Sequence, residues 1–594
     1  MENMKSAKVL WEGLVVYAFW MTTTIALGVT TTVDGVEWTY TVSNNKATVI
    51  SGGVTNGVLS IPERLGGYTV TTIGENAFFG YSGITEVVLP KGVTKIENYA
   101  FAHCTSVMNY KVASENTVFT SDVGVLFSKD KKQLIRYPCG RLGEYAIPSG
   151  VTAIGESAFS GGESLTGVTL PAGVKSIGPN AFWGCKKLTT VTIPSGVTSI
   201  GDHAFCFCRH LTKLDLPTTV TTIGASAFFR CERLPALELP NGLKNIADDT
   251  FCYCNELKSL TIPNGVTNIA YSAFAQCTSL ETVTIPISVT SIGDYAFYGC
   301  IRLTTVDLPN KLTQLGDFVF RDCRSLETIT FPATLTKLGM AAFFGCRRLK
   351  KVSIPAQMNS IGIAAFSSCG ALMQIDVASG NTAYESENGV LFTKGRKNLL
   401  TYPGGRAGIY EIPSVVTNVG RHAFSGCVKL TGVTIPSSVK RLEDSAFAEC
   451  GALTEVTIPK SVGVIGNYAF ADSGLMTVTI EEGVKSIPSG LCRGCEGLKT
   501  VLFPESVTSI GTKAFQYCKG LDSIQVPDGV TSIGNDAFWE CRELGCVVLG
   551  TGLKSMGYSV FANIYNMVLW TPESKEPLLN DVSSYIIVKA PSKQ

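Results

Sequence analysis

One motif recurs along most of this chain, and it constrains the fold more than any other feature. A phenylalanine that usually follows an alanine marks it, and most successive markers are 23 residues apart. Self-similarity at a fixed period of about 20–50 residues indicates a stacked repeat architecture rather than several unrelated domains. The markers are Phe78, Phe101, Phe159, Phe182, Phe205, Phe228, Phe251, Phe274, Phe297, Phe320, Phe343, Phe366, Phe424, Phe447, Phe470, Phe515, Phe538 and Phe561.

The ordinary unit reads L-x-x-V-x-I-P-x-x-V-T-x-I-G-x-x-A-F-x-x-C-x-x. Its first part alternates apolar and polar residues, as at 188–193, which indicates a strand. A unit this short cannot bury its own apolar side, but stacked units can pair their strands in a parallel sheet. The sequence therefore predicts a mainly β solenoid of about twenty coils, with a parallel sheet on one face and irregular returns.

Two steps between markers are 58 residues long instead of 23, from Phe101 to Phe159 and from Phe366 to Phe424. The extra segments resemble each other and lie near 113–148 and 378–413. Each replaces the Ala-Phe-x-x-Cys stretch by apolar runs, such as GVLF, that are separated by charged turn residues. This pattern predicts a projecting β-hairpin in each long coil.

Cysteine occupies one fixed place in the repeat, three residues after the marker. A small, soft side chain packs well, so we expect a buried thiol ladder. Disulfides between neighbouring coils are disfavoured, because parallel side chains hold their Cβ atoms about 4.8 Å apart instead of about 3.8 Å. Fifteen of the 20 cysteines form this set: Cys104, Cys185, Cys208, Cys231, Cys254, Cys277, Cys300, Cys323, Cys346, Cys369, Cys427, Cys450, Cys495, Cys518 and Cys541.

The motifs V-T-x-I-G-x-x-A-F-x-x-C, I-P-x-x-V and GVLF…YPxG resemble those of the BspA-like leucine-rich-repeat surface proteins. The resemblance covers about residues 60–561. It implies a leucine-rich-repeat solenoid that is secreted or displayed at a cell surface, where members are often treated as adhesins. The chain lacks the asparagine of the ordinary leucine-rich repeat, so we expect threonine and glycine turns to satisfy the backbone of the return.

The N-terminus is the one plausible targeting segment. Lys5 and Lys8 precede an apolar stretch at 13–28, which is typical of a secretory signal. A short membrane anchor or a buried segment are the alternatives, so any membrane contact would be through this segment if it stays uncleaved. We predict a signal peptide at 1–28, an N-terminal cap hairpin at 29–60, repeats at 61–561 and a C-terminal cap at 562–594.

Charge and motifs exclude several function classes. The chain has 49 Lys and Arg against 48 Asp and Glu, which gives no support to nucleic-acid binding. With four histidines and no nucleophile elbow, phosphate loop or paired metal motif, we predict no enzyme, metal or cofactor. The leading prediction is an exported binding or adhesion protein whose partner is a protein or a glycan. An intracellular interaction scaffold is the alternative, which reduced cysteines favour.

Two regions are candidates for binding. The third and fifth residues of L-x-x-V-x-I should face outward from the sheet, although threonine favours strands whatever its function. The long coils add basic tips and three arginines, Arg136, Arg141 and Arg406, that we expect to be exposed. The candidate residues are Thr190, Thr192, Lys213, Asp215, Thr282, Thr284, Thr305, Asp307, Thr328 and Thr330 on the sheet, and Lys131, Lys132, Arg396 and Lys397 at the tips.

Overall fold

The computed structural model describes residues 28–564 and 567–571 and the backbone of one further strand, Ile586–Lys589. The predicted signal peptide at 1–28 lies outside the described residues except for Gly28, as does most of the predicted C-terminal cap at 562–594. The chain divides into two units, Met1–Pro217 and Thr218–Gln594.

Each unit is a parallel β-solenoid with a 23-residue repeat, which confirms the predicted fold class. The L-x-x-V-x-I segments form one ladder; Thr190–Thr192, for example, pairs with Leu165–Thr169 before it and with Lys213–Leu214 after it. The T-x-I segments form a second ladder of mostly two-residue strands, such as Ser176–Ile177 beside Ser199–Ile200. We call the first the front ladder and the second the return ladder. The return is therefore more regular than the sequence indicated.

The first unit begins with three antiparallel strands, and the last of them joins the return ladder by pairing in parallel with Tyr68–Ile73. These three strands are Val29–Val33, Val36–Ser43 and Lys46–Gly52. The front ladder comprises Asn56–Ser60, Gly83–Leu89, Asn109–Val112, Gly143–Ala146, Leu165–Thr169, Thr190–Thr192 and Lys213–Leu214. The return strands are Arg64–Leu65, Tyr68–Ile73, Lys95–Ile96, Ala153–Ile154, Ser176–Ile177 and Ser199–Ile200.

The second unit repeats the same two ladders. Its front strands are Ser259–Thr261, Thr282–Thr284, Thr305–Asp307, Thr328–Thr330, Lys351–Ile354, Gln374–Val377, Gly408–Glu411, Leu430–Thr434, Glu455–Ile458, Thr477–Ile480, Thr500–Leu502, Ser523–Gln525, Cys546–Val548, Val568–Thr571 and Ile586–Lys589. Its return strands are Thr222–Ile223, Asn245–Ile246, Asn268–Ile269, Ser291–Ile292, Gln314–Leu315, Lys337–Leu338, Ser360–Ile361, Asn418–Val419, Arg441–Leu442, Val464–Ile465, Ser486–Ile487, Ser509–Ile510, Ser532–Ile533 and Ser555–Met556.

Each long coil contains three antiparallel strands, and the third pairs in parallel with the next return strand. The tyrosine of the YPxG motif takes the place of the missing marker. Tyr137 lies 5.0 Å from Phe159 and Tyr402 lies 5.0 Å from Phe424, measured between ring centroids. The strands are Phe119–Asp122, Val125–Ser128 and Gln133–Arg136 in the first unit, and Tyr384–Glu387, Val390–Thr393 and Asn398–Thr401 in the second.

The marker phenylalanines stack along the interior of each unit. Phe182 and Phe205 have centroids 5.0 Å apart and planes 4° apart, and Phe297 and Phe320 are 5.3 Å and 6° apart. All are fully buried. Their spacing is close to the coil-to-coil distance of a parallel sheet, so the ring of one ordinary coil packs against the ring of the next.

The ladder cysteines are buried thiols, as the sequence predicts, and members of the ladder also donate hydrogen bonds. The Sγ atom of Cys208 donates to the carbonyl oxygen of Phe182 one coil earlier, at 3.1 Å. Cys300 donates to Phe274 in the same way, at 3.2 Å. The thiol is therefore both an apolar core group and a weak donor that links adjacent coils.

Threonine satisfies the backbone of the return, as expected. The backbone N–H and the hydroxyl of Thr198 both donate to the carbonyl oxygen of Lys175, at 2.9 and 3.3 Å. Thr290 does the same to Thr267. The hydroxyl strengthens the coil-to-coil contact at a position where a valine would leave that carbonyl with a single partner.

A buried asparagine anchors each long coil, and sequence reasoning missed it. The side-chain amide of Asn116 donates to the carbonyl oxygens of Pro90 and Val93, and its Oδ1 accepts the N–H of Phe119 at 2.8 Å. Asn381 makes the equivalent bonds in the second unit. A buried amide with its polar atoms paired fixes the start of the extra strands.

A third coil-to-coil contact is formed by the stretch x-Ala-Phe-x-x-Cys, which runs from the second residue before the marker to the ladder cysteine. We call this stretch the arm. Its N–H groups alternate between two kinds of acceptor. Those of Ser272, Phe274 and Gln276 donate to the next coil, while those of Ala275 and Cys277 donate three residues back within their own coil. This alternation requires residues two before and two after the marker to have positive φ, as at Ser272 (50°) and Gln276 (60°).

These two left-handed positions explain a restriction in the sequence. In the described arms they hold glycine, polar, aromatic or alanine residues, and never valine, isoleucine or threonine. Branching at Cβ makes a left-handed conformation especially unfavourable.

Lys513 tests this restriction, because it has a φ of 58° and lies two residues before its marker. We expect Lys513→Val to lower the free energy of unfolding by about 1 kcal/mol, because branching at Cβ makes the left-handed conformation less favourable than it is for lysine. Lys513→Gly should not lower it, since glycine adopts this conformation freely. Urea denaturation measures both, and equal losses for the two variants would contradict the explanation.

Candidate binding surfaces

The broadest polar surface is the front ladder of the second unit, where six strands from Ser259–Thr261 to Gln374–Val377 form one sheet. The parallel register places Thr305 beside Thr282 and Thr328. The outward side chains are exposed except for the half-buried Asp376. They form two rows that we call the strand face: Ser259, Thr282, Thr305, Thr328, Lys351 and Gln374, and Thr261, Thr284, Asp307, Thr330, Ser353 and Asp376.

The strand face is polar and carries few charges, with Lys351, Asp307 and Asp376 as its charged residues. The Nζ of Lys351 lies 2.7 Å from the Oδ2 of Asp376, so these charges offset each other. The inward residues between the rows, such as Val283 and Ile329, are buried. The outward residues can therefore change without loss of core packing.

The four remaining sheet candidates lie in the first unit, where Thr190, Thr192, Lys213 and Asp215 are all exposed. Thr190 is in register with Lys213. Lys213 and Asp215 form a loose ion pair at 3.8 Å, which contributes little when both groups are this exposed.

The tips of the long coils are less basic than their sequence suggests. In the first unit, the Nζ of Lys131 lies 2.7 Å from the Oδ2 of Asp122, while Lys132 is exposed. In the second unit, Arg396 pairs with Glu387 and lies 3.7 Å from a carboxylate oxygen of Glu385.

Lys397 is exposed in the second long coil. Neighbouring acids thus neutralise one basic candidate in each tip. An anionic partner would meet Lys132 or Lys397 rather than a cluster of free cations.

The three arginines expected to be exposed in the long coils serve the fold, and the prediction is wrong for Arg136, which is 5% exposed. Its guanidinium donates to the carbonyl oxygens of Ile135 and Glu156, because the third strand of the long coil turns this side chain inward. Arg141 donates to the carbonyl oxygens of Met108 and Val123.

Arg406 occupies the place of Arg141 in the second long coil. It donates to the carbonyl oxygen of Asn388 at 2.6 Å, and its guanidinium carbon lies 5.8 Å from the ring centroid of Tyr402. Both arginines therefore tie the hairpin back to the solenoid rather than present charge to a partner.

A strip of aromatic side chains crosses the arms of the second unit, and sequence reasoning missed it. Tyr295 lies 5.6 Å from Tyr271 and 4.7 Å from Phe318, between ring centroids. Arg321 continues the strip, with its guanidinium carbon 5.5 Å from the ring of Phe318 and 4.8 Å from that of Phe344. We call these five residues the aromatic strip.

The rings of the aromatic strip present limited area to a ligand. Tyr295 and Phe318 are stacked with planes 18° apart, so each covers a face of the other. Tyr271 is 40% exposed, whereas the rings of Tyr295, Phe318 and Phe344 are half-buried. Each ring comes from a variable position of the arm, so only a comparison of these positions across coils could have revealed the strip.

Within the described residues, no three His, Cys, Asp or Glu side chains are placed to hold a metal ion. Asp249 has the most perturbed carboxylate: burial, with the nearby charge of Asp248, raises its pKa to about 6. Its Oδ1 is buried and has no partner in the described structure.

The raised pKa of Asp249 predicts that the free energy of unfolding depends on pH. A carboxylate whose pKa is raised on folding stabilises the fold below about pH 4, and this contribution is lost as the pH rises through about 6. We expect Asp249→Asn to raise the free energy of unfolding at pH 7 by about 1–2 kcal/mol and to flatten its fall between pH 4 and 6. Asparagine also tolerates the φ of 52° at this position.

Urea denaturation at several pH values measures this effect. Asp536→Asn is the matched control, since Asp536 occupies the same arm position in another coil with a φ of 55°. An unchanged pH profile for Asp249→Asn would contradict the assignment.

The comparisons with solved structures return leucine-rich-repeat proteins. A protein from Eubacterium ventriosum is 28% identical, with 56% of this chain and 83% of that chain covered and a TM-score of 0.46. A protein from Bacteroides ovatus is 23% identical, with 84% and 95% covered and a TM-score of 0.33. A leucine-rich cell surface protein from Faecalibacterium prausnitzii is 21% identical, with 94% and 98% covered and a TM-score of 0.25. No curated protein matches the chain.

The family comparison agrees with the repeat pattern. The model of the BspA type leucine rich repeat region matches residues 60–126, 135–258, 267–387, 409–521 and 485–581, which together are well over half of the chain. Among the described residues, none lies in a helix long and apolar enough to cross a membrane. With its 23-residue coils, stacked phenylalanines and matched repeats, this chain belongs to the BspA-type leucine-rich-repeat family.

Proposed function

We propose that this chain is a non-enzymatic, exported protein, secreted or displayed at the cell surface, that binds another protein through the strand face. The observation that carries the proposal is the continuous six-strand sheet, whose two outward rows are exposed except for the half-buried Asp376 and are not required for packing. Solenoids use such extended surfaces for recognition, because successive coils present side chains at regular intervals.

The strand face suits a protein better than a glycan. Its outward residues are hydroxyl, amide and charged groups, without the aromatic platforms on which sugar rings stack. A protein partner can meet these groups with its own backbone and side-chain hydrogen bonds over several coils.

Export rests on the basic and apolar pattern of residues 5–28, which is typical of a secretory signal. The competing candidate is an intracellular scaffold, which the reduced state of the cysteines favours because oxidising compartments promote disulfides. Burial of nineteen of these thiols offers protection from oxidation and makes them compatible with export.

Protease treatment of intact producing cells tests export. We expect loss of the protein on treatment and a mature N-terminus near residue 29. A chain that begins at Met1 or Glu2 and resists the protease until lysis would support the intracellular scaffold instead.

The binding surface is tested by changing outward residues and measuring retention on an array of purified extracellular proteins and glycans. We expect Thr305→Glu with Thr328→Glu to reduce retention on a protein at least about tenfold, since two carboxylates would have to be desolvated in the contact. Gln314→Glu with Lys337→Glu, on the return ladder of the same coils, is the control, and it changes the net charge by three units where the strand-face pair changes it by two.

The control pair should leave retention unchanged, and all variants should keep the wild-type circular dichroism spectrum. Retention on glycans alone would contradict the protein-binding proposal. Loss of retention in Tyr271→Ala, with no loss in the strand-face pair, would move the contact to the aromatic strip.

A further inference from the structure

One coil of the second unit departs from the repeat in three ways at once. The step from Phe470 to the next marker position is 22 residues, because the turn after Phe470 lacks one residue. Ser473 takes the place of the ladder cysteine in that turn. The following marker is Cys492 instead of phenylalanine, so that Cys492 and the ladder residue Cys495 form a C-x-x-C motif.

Because the marker of this coil is a cysteine instead of a phenylalanine, two thiols lie in the same turn. In the other arms that have a ladder cysteine, this cysteine follows a phenylalanine in the same turn, whereas Cys495 follows a thiol. The N–H of Cys495 donates to the carbonyl oxygen of Cys492 at 3.1 Å, which closes a four-residue turn. Such a turn holds its first and last Cα atoms within about 7 Å, and disulfides span about 4.4–6.8 Å. Both cysteines are fully buried.

Ser473 makes Cys495 different from the other ladder thiols. Its hydroxyl oxygen lies 3.2 Å from the Sγ of Cys495 and 2.7 Å from the carbonyl oxygen of Phe470. When Cys495 loses its proton, this hydroxyl can turn and donate to the sulfur. In most coils the neighbouring position is another cysteine, which is a weaker donor.

The electrostatics agree with this geometry. Burial raises the pKa of Cys495, but hydrogen bonds from Cys492 and Ser473 outweigh it and lower the pKa below the ordinary thiol value. Burial raises the pKa of Cys492 and of Cys518, the ladder cysteine of the next coil. Since the thiolate is the reactive form, Cys495 is the nucleophile of the pair.

We propose that Cys492 and Cys495 are a dithiol that closes to a disulfide by exchange with a small disulfide of the oxidised glutathione class. The Cys495 thiolate attacks one sulfur of that molecule and forms a mixed disulfide, and one small thiolate leaves. The Cys492 thiolate then attacks the Cys495 sulfur of this mixed disulfide. The Cys492–Cys495 bond forms, and the second small thiolate leaves. Two electrons pass from the protein to the small disulfide, and two small thiols take up the protons.

The spacing C-x-x-C occurs nowhere else in the sequence. Like Cys277 and Cys300, Cys495 donates to a phenylalanine carbonyl oxygen one coil earlier, that of Phe470 at 3.1 Å, but it alone has a second cysteine three residues before it. The proposal therefore predicts one intramolecular disulfide among twenty thiols, whatever the cellular location of the chain.

Trypsin makes this disulfide easy to detect, because it cleaves after Arg493, between the two cysteines. The reduced, folded protein is incubated in buffers of increasing oxidised-to-reduced glutathione ratio and quenched with acid. It is then alkylated with N-ethylmaleimide in urea near neutral pH, so that every remaining thiol is accessible, and digested. We expect a linked pair of peptides, 486–493 with 494–499, to accumulate while the peptide 514–519, which carries Cys518, remains alkylated. Urea-denatured protein is the control for unselective oxidation.

Two variants separate the roles of the residues. Cys492→Phe restores the repeat pattern and removes the partner thiol. The peptide that carries Cys495 should therefore be found alkylated at every glutathione ratio, like the peptide that carries Cys518. Ser473→Ala should slow formation of the linked pair on the order of tenfold, because a hydrogen bond to a charged sulfur is lost. Wild-type protein that shows no linked pair at any ratio, or that oxidises Cys518 as readily as Cys495, would overturn the proposal even if both variants misfold.

Discussion

Coil-to-coil hydrogen bonding at a fixed spacing is the constraint on which the rest of each unit depends. The front ladder, the return ladder and the arm all donate to the neighbouring coil, and they do so once per 23 residues. Each side chain between these contacts lies about 4.8 Å from the side chain at the equivalent position of the coil on either side. Flat rings stack at this distance and small thiols fit it, which explains why one phenylalanine and one cysteine recur in each ordinary coil.

The arm is where this constraint is most demanding. Its alternating N–H directions need two left-handed residues per coil, a conformation that costs free energy for any residue except glycine. The stacked core offsets that cost, so the residues at these positions can vary as long as Cβ is not branched. Because the residue types at these positions vary, the arms of different coils present different side chains at the surface. The aromatic strip of the second unit is one result.

Period, strand pattern and thiol burial could be predicted from the sequence because each depends on a spacing that recurs in every coil. The inward turn of Arg136, the role of Asn116 and the aromatic strip could not, since each depends on backbone directions within a single segment. The exposure of the strand face follows from the alternation of a strand, and the structure places these residues outward. Whether a partner uses them remains a proposal, because exposure alone does not distinguish a binding residue from a solvated one.

The central claim is that the cysteines are core groups of the stacked coils, and counting accessible thiols tests it most directly. In fully reduced, folded protein, an aromatic disulfide reagent should react quickly with one thiol, Cys546, which is the half-buried member of the twenty. Among the other nineteen, the Cys492–Cys495 pair should exchange slowly, and the remaining seventeen should react only after denaturation, because burial holds them inside the core. Rapid reaction of several ladder thiols in the folded protein would contradict the account.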